Sequence, residues 1–159
     1  MFATCKNLLN GSFRTMLFCG LIVLSGWRFS SSDEHWKWIQ RCLIQSYNQQ
    51  EDSPLKKWDL SVTPKGFFRL KKYFPSGKQE YFSFHFNKIK DIEYSGTSAS
   101  GDILFKTLED DIIVQTFNDP KGNIDSMSTV LRLPVLNMEP QTWDTLKTTI
   151  ISLRNIRNE

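Results

Sequence analysis

The spacing of apolar residues changes twice along the chain and predicts a helix, a series of strands and a second helix. In the first region apolar side chains recur at helical spacing, at Trp36, Ile39, Leu43 and Tyr47. Ser31 and Glu34 stand three residues apart, as in a capping box at the start of a helix. The polar run at 49–54 ends this helix, whose apolar stripe must pack against another element.

Between Trp58 and Val135 the spacing falls to two, which is typical of β-strands. The clearest run alternates phenylalanines with polar residues around Phe84, and a turn at 75–78 joins it to the preceding strand as a hairpin. Pro134 indicates that the last strand ends there or lies at a sheet edge. Seven short strands are predicted in all, at 58–62, 68–74, 81–87, 89–94, 103–108, 112–117 and 128–135.

A second amphipathic helix follows the strands. Pro140 suits its first turn, and Trp143, Leu146, Ile150 and Leu153 recur at spacings of three and four. Because this apolar stripe is too short for an isolated coiled coil, we expect it to cover the open end of the sheet.

The order of short strands followed by one helix resembles the pleckstrin-homology-like (PH-like) superfold over about residues 57–157. The opening hairpin at 58–74 and Trp143 in the closing helix both contribute to the resemblance. The stretch 84–92 looks like the strand and I-x-x-I segment of bacterial PH and GRAM-like domains. The resemblance implies an α+β, mainly β fold: a seven-stranded antiparallel barrel or sandwich with a C-terminal capping helix, preceded by an N-terminal helix. Other all-β sandwiches and lipocalin-like barrels produce similar alternation.

The expected organisation is a signal peptide at 1–26, an N-terminal helix and linker at 27–54, and the PH-like domain at 55–159. The first segment is basic and free of acidic residues, and its apolar run at 16–24 ends in small residues, which is typical of a secretory signal. A bilayer-spanning helix needs about 20 apolar residues, so a cleaved signal is favoured over an anchor at 16–27 or a buried helix. The sequence therefore predicts a periplasmic or secreted protein.

Charge and cysteine usage support this division. Apolar residues make up 40% of the chain and charged residues 23%, a balance typical of a globular domain. Lys6 and Arg14 in the first segment supply two of the three net positive charges, so the remaining domain is nearly neutral and is not expected to bind nucleic acid. Cys5 and Cys19 also lie there, which leaves Cys42 without a disulfide partner and predicts a small buried residue.

No residue pattern predicts catalysis, a metal or a cofactor. His35 and His85 are the only histidines, and neither belongs to a cluster with zinc-ligand spacing. The chain has no Gly-x-Ser-x-Gly elbow and no phosphate-binding loop, although a hydrolase triad assembled from distant residues remains an alternative. The oxygen-rich segment 118–125 departs from a calcium-binding loop, because Lys121 occupies a would-be ligand position. It reads as a polar hairpin turn.

Five residues are candidates for binding: Trp36, Trp38, Lys65, Arg69 and Lys71. The two tryptophans point about 100° apart on a helix, so one should reach the surface as an interface anchor. The three basic residues approximate the phosphoinositide-binding pattern of the PH family, and a solvated strand face is the competing interpretation.

We therefore expect a non-catalytic, exported binding or scaffold module that contacts an unidentified protein through strand edges or an open face. The alternative is a protein that binds lipid or a small apolar ligand at the membrane surface, with the phenylalanine-rich strands lining a cavity. A patch of lysines, at 71, 72, 88 and 90, would suit an anionic membrane surface.

Overall fold

The computed structural model describes residues 31–51 and 54–156. The chain from Ser31 onward forms one compact unit. The predicted signal segment, at 1–26, lies outside the described residues. The elements are α1 (Ser31–Ser46), β1 (Lys57–Val62), β2 (Phe67–Tyr73), β3 (Gln79–His85), a 3₁₀ turn (Phe86–Lys88), β4 (Ile89–Gly96), β5 (Ser100–Thr107), β6 (Ile112–Phe117), β7 (Asp125–Ser128), β8 (Val130–Leu136) and α2 (Pro140–Ile156).

The fold is α+β and mainly β, with two antiparallel sheets that do not close into a barrel. The first sheet has five strands in the order β1-β2-β3-β6-β7, and the second has three in the order β4-β5-β8. The predicted hairpin is confirmed as β2 and β3, in which Phe68 lies opposite Phe84. Gly77 in its turn has a φ of 89°, a backbone conformation that glycine adopts without the strain of a side chain.

The structure has eight strands where the alternation predicted seven. The additional strand is β7, which falls partly within the segment expected to be a loop and pairs with β6. Its sequence, Asp-Ser-Met-Ser, has no apolar alternation, because hardly any of the strand is buried. A strand held by backbone hydrogen bonds alone leaves no periodic signal in the sequence. Pro134 lies within β8, an edge strand of the second sheet, in agreement with its predicted edge position.

Aromatic rings from both sheets and the 3₁₀ turn fill the interior. Phe68, Phe84, Phe86 and Phe105 all contact one another, with ring centroids separated by distances from 4.9 Å for Phe68–Phe84 to 6.3 Å for Phe68–Phe86. All four side chains are at most 3% exposed. Aromatic pairs at these distances add to the stability gained from burial alone. The alternating phenylalanines therefore form a packed core.

Both helices pack into this same core, as their apolar stripes predicted. From α1, Trp36 stacks on Phe86 with 5.6 Å between ring centroids. The buried residues of the two stripes are Trp36, Ile39, Leu43, Tyr47, Leu146, Ile150 and Leu153. At the far end of α2, the Arg154 guanidinium donates a hydrogen bond of 3.0 Å to the carbonyl of Ile89 in β4. Neither described helix is long and apolar enough to cross a membrane.

Cys42 lies on the buried side of α1, and burial raises the pKa of its thiol. Because the folded-state pKa lies above that of the unfolded chain, the protonated thiol contributes stability that is fully present below the ordinary pKa of about 8.5. That contribution is lost as the pH rises through the raised folded-state value. In a variant with Cys5 and Cys19 replaced by serine, we expect Cys42 to react with a thiol reagent at pH 8 at least ten times more slowly than in urea. Equal rates in the native and unfolded protein would contradict its burial.

Candidate functional site

The outer face of the five-stranded sheet, which we define as the side turned away from the core, carries the exposed cations predicted from the sequence. In β2, Phe68 and Leu70 are buried while Phe67, Arg69 and Lys71 are exposed. Successive side chains of a strand point to opposite sides, so the buried pair fixes the other three on the outer face. Arg69 and Lys71 are two residues apart and therefore lie about 7 Å from each other.

The strand register brings these cations beside aromatic and amide side chains of β3 and β6. Lys71 lies opposite Tyr81, which in turn lies opposite Gln115. Arg69 lies opposite Ser83 in the neighbouring row. A shallow cleft of about 280 Å³ is lined by Arg69, Lys71, Gln79, Glu80, Tyr81, Gln115 and Phe117.

Each cation on this part of the sheet lies over an aromatic ring. The Arg69 guanidinium carbon is 5.7 Å from the Phe67 ring centroid, and the Lys71 Nζ is 5.5 Å from that of Tyr81. Cation–π contacts of this length hold the charged groups close to the sheet surface. Neither Arg69 nor Lys71 forms an ion pair with any residue that the structure describes. Their charges are therefore available to an incoming group.

The outer side of the three-stranded sheet differs, because Arg132 and Lys106 there are neutralised within the molecule. Arg132 pairs with both Glu51 and Asp102, and these contacts raise the pKa of its guanidinium. Lys106 likewise pairs with Glu93 of the adjacent β4. The two sheets thus present chemically distinct surfaces.

The other predicted binding residues lie elsewhere. Trp36 is only 3% exposed and belongs to the core, whereas Trp38 is half-buried, so the two tryptophans divide as their spacing predicted. Trp38 lines a groove of about 520 Å³ between α1 and the start of α2, together with Arg41 and Thr142. Lys65 is exposed in the turn between β1 and β2 and does not line the cleft.

The lysines expected to form a membrane-facing patch do not share one surface. Lys71 is on the outer face, whereas Lys72 follows it in β2 and is 7% exposed, on the side of the core. Lys88 pairs with Asp111 at 3.2 Å, and Lys90 lies in β4 of the other sheet. The structure therefore brings together Arg69 and Lys71 alone from among the cations singled out in the sequence.

The oxygen-rich segment at 118–125 uses its side chains within the turn. The Asp119 carboxylate accepts a hydrogen bond from the backbone N–H of Lys121 at 2.9 Å and pairs with the Lys78 ammonium at 2.9 Å. These contacts, first the backbone hydrogen bond and then Lys78, lower the pKa of Asp119. The Asn123 side-chain oxygen accepts a hydrogen bond from the Asp119 N–H. Within 31–51 and 54–156, no group of three or more His, Cys, Asp or Glu side chains could hold a metal ion.

Comparison with known proteins gives no relative. No family model, curated protein or solved structure matches this chain. Its function is therefore inferred from the chemistry of the surface described above.

The exposed apolar residues of the outer face were not predicted from the sequence. Ile113 and Phe117 of β6 and Met127 of β7 are exposed on the outer face, on the β7 side of the sheet. The run Ile112-Ile113-Val114 carried the signal, since three consecutive apolar residues in a strand place apolar side chains on both of its faces.

Proposed function

We propose that this protein is a non-catalytic binding module whose outer sheet face recognises an acidic segment of a partner protein. The observation that carries the proposal is the pair Arg69 and Lys71, which are exposed, form no ion pair with the described residues and lie over aromatic rings. Guanidinium and ammonium groups bind carboxylates by charge-assisted hydrogen bonds, and arginine does so in a bidentate geometry. Exposed apolar side chains beside them would bury the aliphatic parts of the same segment.

The mixed charge of the face favours a protein partner over an anionic membrane. Asp59 lies opposite Lys71, and Asp125 lies opposite Gln115 on the same side of the sheet. A bilayer presents a continuous field of negative charge, which these carboxylates would oppose, whereas a peptide can place its charges between them. The lipid-carrier alternative requires an internal cavity, and the mutual packing of Phe68, Phe84 and Phe105 favours a filled interior instead.

We also propose that the domain is PH-like and that the protein is exported. The amphipathic α2 packed on the core after the last strand supports the resemblance, since a closing helix is one of the elements on which it rests. The basic, then apolar composition of residues 1–26 supports export. N-terminal sequencing of the mature protein would test the signal: a first residue near Trp27 is expected, and an intact Met1 would contradict cleavage.

The proposed surface can be tested with charge reversal. We expect the double variant Arg69→Glu, Lys71→Glu to bind a fluorescent peptide of alternating glutamate and leucine at least tenfold more weakly than the unaltered full chain. The reason is that close charge pairs at an interface become like-charge contacts. Fluorescence anisotropy at two salt concentrations measures the dissociation constant and its salt dependence.

The matched control is Lys90→Glu, Lys121→Glu, which changes the net charge equally at two exposed lysines away from the cleft. This control should retain binding within about twofold, because only long-range, screened electrostatics change. Equal losses in the two double variants would show a net-charge effect and overturn the assignment of the surface. Binding to phosphatidylserine vesicles without binding to the peptide would overturn the choice of partner, as would a lipid adduct that co-purifies in native mass spectrometry.

A further inference from the structure

The margin of the five-stranded sheet around β7 concentrates exposed apolar side chains. Seven large hydrophobic residues are exposed in the described part of the chain, and all but Phe67 fall between residues 108 and 130. They are Leu108, Ile113, Phe117, Ile124, Met127 and Val130, exposed by 73, 38, 45, 51, 57 and 42% respectively. Contiguous exposed apolar patches larger than a few hundred Å² mark interaction sites in many proteins.

Of the four sheet edges in the described chain, two are contacted by α1 and by the residues that follow it. At the β1 edge, the Val62 N–H donates a hydrogen bond of 2.9 Å to the side-chain oxygen of Gln40. At the β8 edge, the Asn48 N–H donates one of 2.9 Å to the carbonyl of Pro134. These contacts satisfy backbone groups that would otherwise invite another strand.

At the third edge, Arg154 of α2 donates a hydrogen bond to the carbonyl of Ile89, the first residue of β4. The fourth edge, β7, pairs with β6 on one side and with no described strand on the other. Asp125, Ser126 and Met127 are all exposed. No described residue forms a hydrogen bond to β7 from its other side, which leaves this edge open.

The hydrogen-bond alternation shows which backbone groups of β7 face outward. The Thr116 N–H donates to the Ile124 carbonyl at 2.8 Å, so these two residues occupy a hydrogen-bonded position of the antiparallel ladder. Ser126, two residues further along β7, occupies the next such position, opposite Val114. The N–H and C=O groups of Asp125 and Met127 consequently point to the free side of the strand.

Apolar side chains lie on both sheet faces at this edge. Met127 is opposite Ile113 on the outer face. Ile124 is adjacent to Asp125 in the chain, so it points to the opposite face, where Thr116 is buried. An added strand would therefore find apolar neighbours for both sets of its alternating side chains, whereas a partner docked on one face would reach only one set.

The charged residues near the β7 edge indicate which side chains an added strand should carry. Glu109 and Asp110 are exposed and form no ion pair with the described residues. Thr107 links them to the end of β7. Its hydroxyl donates a hydrogen bond of 2.7 Å to the Glu109 carbonyl, and its backbone N–H donates one of 2.9 Å to the carbonyl of Thr129, the residue after β7. A cation at the corresponding end of an added strand would meet these carboxylates.

We infer that β7 accepts an extended segment of a partner protein as a sixth strand, with apolar side chains on both faces and a lysine or arginine near Glu109 and Asp110. This mode of recognition draws its affinity from main-chain hydrogen bonds and its specificity from alternating side chains. The site goes beyond the proposed function. It is separated from β2 by β6 and β3, a distance of about 14 Å at the usual strand spacing.

The test compares Met127→Pro with Met127→Ala. Both variants remove the methionine side chain, but only proline removes the outward N–H, and proline is tolerated at strand edges. The probe is a labelled valine-rich ten-residue peptide with two terminal lysines, titrated into the full chain. We expect the proline variant to bind at least tenfold more weakly than the alanine variant, and an N-methylated peptide to lose binding to the unaltered protein.

Glu109→Lys, Asp110→Lys should weaken binding of the lysine-ended peptide and leave that of a serine-ended peptide unchanged. Arg69→Glu, Lys71→Glu should leave binding at β7 unchanged, which separates this inference from the proposed function. Equal affinities of the proline and alanine variants together with full binding of the N-methylated peptide would overturn strand addition. Concentration-dependent self-association in sedimentation, without peptide binding, would instead assign the edge to a second copy.

Discussion

Replacing Phe105 with alanine is expected to lower the free energy of unfolding by about 3–5 kcal/mol, the usual cost of removing a buried phenylalanine. Phe105 is fully buried, and its ring lies 5.3 Å from that of Phe84 and 5.7 Å from that of Phe68. It belongs to the three-stranded sheet, whereas those two rings belong to the five-stranded sheet. Truncation would therefore open a cavity at the contact between the two sheets, where the rigid strands can collapse little.

Urea unfolding followed by circular dichroism measures this loss. The control is Phe117→Ala, because Phe117 is 45% exposed and its truncation leaves no enclosed cavity. We expect the control to change stability by no more than about 0.5 kcal/mol. A loss below about 1 kcal/mol for the Phe105 variant would contradict a filled aromatic core and would reopen the ligand-carrier alternative.

Replacing Leu146 with alanine is expected to cost about 2–5 kcal/mol, by the same combination of lost transfer free energy and cavity formation. Leu146 is fully buried in α2 and lies in the cluster that both sheets and both helices share. Alanine has a higher helix propensity than leucine, so any loss must come from packing rather than from the helix itself.

The matched control for this second variant is Thr148→Ala, two residues further along the same helix and exposed. Its effect on the free energy of unfolding should be within about 0.5 kcal/mol, since it removes no buried contact. If the Leu146 variant unfolded at the same urea concentration as the control, α2 would not be part of the cooperative core. The capping role predicted for this helix would then be wrong.

The basic part of the candidate surface could be predicted from the sequence. The alternation around Phe68 and Leu70 placed Arg69 and Lys71 together on a solvent-facing strand side, and the structure has them there. The amphipathic spacing likewise implied that Trp36 and Trp38 would divide between core and surface. The apolar stripe with Ile39 and Leu43 favoured Trp36 as the buried one, but its stacking partner Phe86, 50 positions further along the chain, came from the tertiary structure.

The open edge could not be predicted in this way. β7 is short and polar, and its four residues contribute no periodic pattern. Its pairing with β6 depends on a contact between separate strands, and so do the hydrogen bonds that Gln40, Asn48 and Arg154 form at the other edges. These contacts use main-chain atoms on at least one side, and main-chain atoms are the same at every position.

By itself, the sequence determined the two helices, most of the strands, the hairpin of β2 and β3, and the buried side of the elements that carry an apolar pattern. Each helix or strand must bury its own apolar side, so apolar residues recur along the sequence with the period of that element. The tertiary structure alone decided that β3 pairs with β6, that the strands divide into two sheets, and that β7 is left at an open edge. Those choices depend on backbone hydrogen bonds and on the packing of remote side chains, for which the local order of residues carries no signature.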